Sequence, residues 1–118
     1  TADGTCERDY VHVNDLATAH VRAIEFLDTN VGFHAFNLGT GRPYSVRQVI
    51  GAVAQQAGQA VPQQNAPRRP GDPPALFADP RRAKSVLGWS ATQSSLEEIV
   101  ASAWRWHAGD AKEVRLAV

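Results

Sequence analysis

Only one cysteine, Cys6, occurs in the chain. No internal disulfide can form, and a lone thiol with no histidine set beside it in a nucleophile motif reads as a small apolar side chain. The four histidines, His12, His20, His34 and His107, are scattered without HxxxH or CxxC spacing, so no structural metal site is expected. Neither sign of charge is in surplus: twelve Lys and Arg face twelve Asp and Glu, and no global field recruits nucleic acid or a membrane surface. No apolar run approaches the roughly 20 residues of a membrane-spanning helix, and no basic-then-apolar leader precedes Thr1. A cytoplasmic location is the expectation. Catalytic signatures are scarce as well. Gly39-Thr40-Gly41 is followed by Tyr44 where G-x-G-x-x-G requires glycine, and no Walker A sequence exists. Tyr10 and Tyr44 are followed four residues on by Asn14 and Gln48, so a Tyr-x-x-x-Lys pair is missing too.

What is present fits one ordinary globular domain: 118 residues, 43% hydrophobic and 20% charged. The Asp3-Gly4 pair predicts a hairpin turn whose first strand would lie before Thr1. Tyr10 to Val13 reads as a strand, with Asn14 or Asp15 capping a helix that buries Leu16, Ala19, Ala23, Ile24 and Leu27. A second strand is expected at Ala35 to Leu38, closed by a tight turn at Gly39-Thr40-Gly41. Ser45 and Gln48 form a capping box, flanked by Tyr44 and Val49 as a hydrophobic staple. The helix they open buries Val46, Val49, Ile50, Val53 and Ala57 and ends at Gly58.

Five prolines between Val61 and Pro74 exclude a regular helix and predict a stiff, extended connection. Asp79 then caps a short helix with Pro80 at its first position, Gly88 past its end and Trp89 covering that end. The last helix starts near Ser94 or Ser95, each with a glutamate three residues on, and buries Leu96, Ile99, Val100, Ala103 and Trp104 before stopping by Gly109. Residues 1–109 thus make the domain, and 110–118 a tail of weak periodicity.

The stretch from Thr29 to Lys84 carries seven basic residues against two acidic ones, Asp72 and Asp79. Such a stretch is either a solvated face or a surface that holds an anion. Within it, Arg69 and Asp72 form a pair suited to a nucleoside diphosphate. A guanidinium fork meets phosphate oxygens in two places, and a carboxylate accepts from neighbouring ribose hydroxyls.

Four ordered motifs then carry a resemblance: Gly4-Thr5-Cys6-Glu7-Arg8-Asp9-Tyr10-Val11-His12-Val13 with Asp15-Leu16-Ala17; Asn37-Leu38-Gly39-Thr40-Gly41; Arg68-Arg69-Pro70-Gly71-Asp72; and Ala83-Lys84 to Leu87-Gly88-Trp89. From about Asp3 to His107 the chain resembles the UDP-glucose 4-epimerase family of extended short-chain dehydrogenases, in its C-terminal third. The resemblance implies a small mixed α/β substrate-binding lobe, with the Rossmann half absent. It implies that Arg8 and Arg69 bind the diphosphate, that Asp72 takes the ribose hydroxyls, that Tyr10 lies beside the nucleotide and that Val46 lines the pocket. No catalytic and no cofactor-binding residue falls in this chain. The remaining half would supply NAD and a Ser, Tyr, Lys set that oxidises the sugar at C4, interconverting UDP-galactose and UDP-glucose. The family likeness also implies a homodimer for the full-length enzyme, and a lobe deprived of its partner half would expose apolar surface that allows self-association in isolation.

Two residues depart from the family pattern. Glu7 stands where an apolar residue is usual, beside Arg8, and strand alternation would turn the two side chains to opposite faces. Leu76 stands where a bulky tyrosine is associated with excluding N-acetylated sugars, so leucine leaves room for them. Other chemistries of the same extended family, 4,6-dehydration or decarboxylation, and a non-catalytic binding or assembly module are the competing expectations.

Overall fold

Among residues 1–109, which the computed structural model describes, the chain forms four helices and three strands of two residues each. The expected tail at 110–118 lies outside the described residues. Strand β1 (Glu7–Arg8) is central, with β2 (Tyr44–Ser45) antiparallel on one side and β3 (Ala75–Leu76) parallel on the other. A small, open, mixed sheet with helices is therefore the architecture, as the α/β reading anticipated. The Asp3-Gly4 turn forms, with Gly4 at φ 81° and its N–H donating to the Thr1 carbonyl at 3.2 Å. It does not feed a hairpin into β1, because β2 and β3 occupy both edges of that strand.

The strand expected at Tyr10 to Val13 lies earlier, as β1 at Glu7–Arg8, and helix α1 (Val13–Leu27) begins at the last of the expected residues. The β-branched pair Val11 and Val13 flanks His12, which is extended and caps the helix in place of Asn14 or Asp15. Its Nδ1 accepts the Asn14 N–H at 3.0 Å, which assigns the ring proton to Nε2 and lets it donate to Ser102 Oγ at 2.9 Å. Freed from capping, Asp15 turns inward and is 1% exposed. Its carboxylate accepts the N–H groups of Thr92 and Gln93 and the hydroxyls of Thr92 and Ser94. A buried anion without a cation partner is tolerated only when donors of this kind surround it.

The Asp15 carbonyl in turn accepts the indole N–H of Trp89 at 2.8 Å. Trp89 is the largest fully buried side chain and packs with Ala19, Ala83 and Leu87. Removing about 200 Å² of indole from water is worth at most about 5 kcal/mol. It follows Gly88, which takes the left-handed conformation at φ 62° and ends α3 (Arg81–Leu87), and the Trp89 N–H donates to the Ala83 carbonyl. Helix α3 starts one residue later than expected. Pro80 sits at the cap, while Asp79 still accepts the Arg81 N–H at 3.1 Å.

Helix α2 (Val46–Ala57) begins with the full capping box of Ser45 and Gln48 and ends at left-handed Gly58. It packs along α4 (Leu96–Ala108), which Ser95 caps and which buries Leu96 and Val100. Val46 and Ala103, expected to be buried, are exposed.

Ala35 to Leu38 forms no ladder among the described residues. It nevertheless keeps the alternation of a strand, with Phe36 and Leu38 half-buried against the core and Ala35 and Asn37 exposed. The sequence pattern reports which way side chains point, and a ladder needs a partner as well. On α1 the expected buried stripe is split in the same way. Ala19 is buried and Leu16 and Ala23 are half-buried, whereas Ile24 and Leu27 face outward together with Val13 and Val21, exposed by 49% to 69%. No helix among the described residues is long and apolar enough to cross a membrane.

The Asp15 cluster sets a pH dependence. Burial raises the carboxyl's pKa, but the bonds from Ser94, Gln93 and Thr92 outweigh it and leave the value below the ordinary one. An unfolded aspartate ionises near about 3.9. Between that value and the lower folded one the unfolded chain binds more protons. The cluster's contribution is thus complete above the unfolded value and is lost as pH falls through the folded one. Asp15→Asn is expected to lower stability by about 2–4 kcal/mol at neutral pH, and to flatten the part of the decline below about pH 4. Urea unfolding of both proteins across that range measures it; an equal decline in the two would exclude the role.

Candidate functional site

Arg8 lies at the centre of the sheet, and the register sets Tyr44 opposite it on one side and Leu76 on the other. Side chains directly across a ladder share a face, so these three stand in a row with Arg8 between apolar flanks. The guanidinium is used at two points: Nη1 donates to the Glu7 carbonyl at 2.7 Å and Nη2 to Asp72 Oδ1 at 2.7 Å. Its ion-pair partner is thus Asp72, not the acidic residues nearer in sequence, Asp9 or Asp15.

Asp72 reaches Arg8 because the proline segment is not uniformly extended. Arg69-Pro70-Gly71-Asp72 is a turn, with Gly71 at φ 82° and the Asp72 N–H donating to the Arg69 carbonyl at 3.3 Å. Proline at the second position and a positive-φ glycine at the third are what a type II turn requires, and the Pro70-Gly71 pair was the available signal. The turn brings Arg69 Nη2 to 3.4 Å from Asp72 Oδ2, so one carboxylate bridges two guanidinium groups. Arg8 and Asp72 are about one-quarter exposed, 27% and 28%, whereas Arg69 is 86% exposed.

Of the six site residues named from sequence, Arg8, Asp72 and Arg69 therefore meet in one cluster, and Leu76 stands across the ladder from Arg8. The hydrogen-bonded cluster includes neither Tyr10, which follows β1 half-buried, nor Val46, which opens α2 and is 39% exposed. Val46 is tied to the same region through its N–H, which donates to the Cys6 carbonyl at 3.0 Å. Asp3 adds a further tie: its carboxylate accepts from the Ser45 hydroxyl and from the hydroxyl and N–H of Thr5. Those bonds lower its pKa to about 2.

Asp9 was not singled out in the sequence, although it sits inside Arg8-Asp9-Tyr10. Its carboxylate accepts the Thr40 and Gly41 N–H groups at 3.0 Å each, the Thr40 hydroxyl at 2.6 Å and the Ala78 N–H at 3.2 Å. Burial raises the pKa of this carboxyl, and the bonds from Thr40, Gly41 and Ala78 more than reverse the effect. Any Cβ at Gly39 would run into Asp9 and the Ala78 side chain, so glycine is required there by close approach. The G-x-G sequence is consequently no phosphate cradle. Its amides are already bound to a carboxylate that repels an anion.

Elsewhere, a polar cavity of about 430 Å³ is lined by Thr40, Arg42, Tyr44, Thr92, Ser94 and Ser95. An apolar groove of about 490 Å³ separates the start of α1 from Ile99, Ala103 and Trp106 of α4. Among the described residues no group of three or more His, Cys, Asp or Glu side chains is placed to hold a metal ion.

The family model described as GDP-mannose 4,6 dehydratase matches residues 2–103. A UDP-glucose 4-epimerase of Bacillus subtilis (strain 168) is 48% identical over 110 residues, covering 93% of this chain and 32% of the relative. That of Halalkalibacterium halodurans is 47% identical over 107 residues, covering 91% and 32%. The crystal structure of UDP-glucose 4-epimerase from Bifidobacterium longum in complex with NAD+ and UDP aligns with a TM-score of 0.85 at 44% identity, covering 92% of this chain and 32% of that one. This chain spans about a third of the length of the curated relatives it matches. With the family model matched across nearly all of the described residues, the chain belongs to that family of nucleotide-sugar enzymes, the epimerases and dehydratases of the extended short-chain dehydrogenases.

Proposed function

We propose that residues 1–109 are the nucleotide-sugar-binding lobe of an NAD-dependent UDP-glucose 4-epimerase. Arg8 and Arg69 grip the diphosphate, Asp72 receives the ribose hydroxyls, and Tyr10, Val46 and Leu76 border the pocket. The carrying observation is that Arg8 and Asp72, 64 residues apart in sequence, meet at 2.7 Å with Arg69 beside them. Two guanidinium groups and a carboxylate in one cluster match a ligand that offers phosphate oxygens next to vicinal hydroxyls. The named relatives support the choice of uridine and of epimerisation.

NAD does not fit the residues in hand. Among the described residues the strands are two residues long, and the one G-x-G is clamped by Asp9. The dinucleotide site and the proton-transferring groups therefore belong to the rest of a full-length enzyme, and this lobe contributes binding. Holding the diphosphate anchors the nucleotide while the hexose reorients, a use of binding interactions remote from the reacting carbon. The outward apolar row on α1, Val13, Val21, Ile24 and Leu27, supports a lobe that packs against further protein. We extend the proposal to a homodimeric, cytoplasmic full-length enzyme. Exposed Leu76 borders a pocket open to N-acetylated hexoses.

The description of the matching family as GDP-mannose 4,6 dehydratase keeps a second chemistry in view. The full-length protein incubated with UDP-galactose and NAD is expected to yield UDP-glucose; a product short of water or of carbon dioxide would assign dehydration or decarboxylation instead. Arg69→Ala in that protein should raise KM for UDP-galactose about tenfold, by loss of charge-assisted phosphate bonds worth roughly 1.5–3 kcal/mol each. An unchanged KM would make Arg69 a surface charge only. The 118-residue chain alone is expected to show no turnover. Its affinity for UDP should be weaker than micromolar, and calorimetry giving micromolar or tighter binding would contradict the divided site.

A further inference from the structure

We infer that Asp72 is a built-in competitor for the phosphate-binding arginines, which makes the site select nucleoside diphosphates over simple phosphate anions. The inference rests on the binding role proposed above and concerns the state before ligand arrives. In that state Asp72 is not waiting for a ribose. Both of its oxygens are turned to guanidinium groups, Oδ1 to Arg8 at 2.7 Å and Oδ2 to Arg69 at 3.4 Å.

The two arginines are held unequally. Arg8 is mostly buried, and each of its terminal nitrogens already donates one bond, to the Glu7 carbonyl and to Asp72. Arg69 is 86% exposed and its contact with Asp72 is long. Arg69 is thus the free hand that meets an incoming anion, while a phosphate that reaches Arg8 competes with Asp72 for the same guanidinium.

That exchange has different consequences for different ligands. An inorganic diphosphate that draws on Arg8 and Arg69 weakens their hold on the Asp72 carboxylate, about three-quarters buried, and sets a like charge beside it, which is unfavourable. A ribonucleoside diphosphate draws on the same arginines and presents two hydroxyl donors, which satisfy the carboxylate in place of the guanidinium groups. The phosphate half of the ligand is therefore opposed unless the ribose half comes with it. Discrimination arises from a repulsive element against the wrong ligand as much as from an attraction to the right one. The Arg69-Pro70-Gly71-Asp72 turn makes this possible by fixing the carboxylate within reach of both arginines.

The test uses the full-length protein, calorimetry and two probes, inorganic diphosphate and UDP. Asp72→Asn keeps the side chain's shape and removes its charge. It is expected to tighten inorganic diphosphate about threefold to tenfold and to lower the preference for UDP over inorganic diphosphate about tenfold or more. Asp72→Ala, which mimics neither partner, must move the diphosphate affinity in the same direction. Weaker diphosphate binding in both variants, or an unchanged preference, would overturn the inference. Arg69→Ala separates it from the site assignment: UDP affinity unchanged in that variant defeats the binding role itself. UDP weakened there while both Asp72 variants leave the preference unaltered defeats only the competition.

Discussion

Asp9 is the tie on which the placement of the site depends. Its carboxylate collects N–H groups from Thr40, Gly41 and Ala78, which lie just beyond the ladders, ahead of β2 and after β3. With strands of two residues, backbone pairing supplies little registration, so a short side chain that accepts several bonds takes over. Arg8 precedes this tie directly, and Leu76 is two residues before Ala78, so the bond between Asp9 and Ala78 holds β3 alongside Arg8. Gly39 lets the loop come close enough for the tie to form, since any Cβ there would collide with Asp9.

Asp15 does for the helices what Asp9 does for the sheet. It fastens α1 to the segment 92–94 that leads into α4, and its carbonyl orients Trp89 at the end of α3. The buried apolar set is small, with Ala19, Ala83, Leu87 and Trp89 as its main cluster. Directional bonds to buried carboxylates therefore carry much of the uniqueness of the arrangement, which an apolar cluster of this size would specify less sharply. The same bonds make it sensitive to acid, because each carboxylate is useful only while ionised.

Local rules of helix chemistry were readable in advance. The Ser45 and Gln48 box, left-handed Gly58 and Gly88, and Gly109 after Ala108 all stand where the sequence placed them, and of the two serines offered for the last helix Ser95 is the cap. These signals act within a few residues and need nothing from the rest of the chain. Strand signals do need it, and they misled: Val11 and Val13 flank a capping histidine, and Ala35 to Leu38 alternates without a partner. Burial of α1 was misjudged for a related reason. Periodicity marks Ile24 and Leu27 as apolar but cannot say what covers them, and among the described residues nothing buries them. Arg69 and Asp72 were legible through the chemistry of their side chains. The bridge from Asp72 to Arg8 was not, because it depends on where a turn in one segment falls beside a strand 64 residues away.

The position of that bridge explains why the two arginines are not equivalent. Arg8 sits on the central strand between Tyr44 and Leu76, and partial burial there strengthens its attraction to any carboxylate or phosphate within reach. It also demands that some anion be present, since a half-buried guanidinium without a partner is costly. Arg69 projects from a turn into solvent, where its interactions are screened and easily exchanged. A strong, occupied position and a weak, accessible one share a single carboxylate. On the proposed binding role, that arrangement makes capture of an anion and its final seating separate events, with Asp72 joining the two.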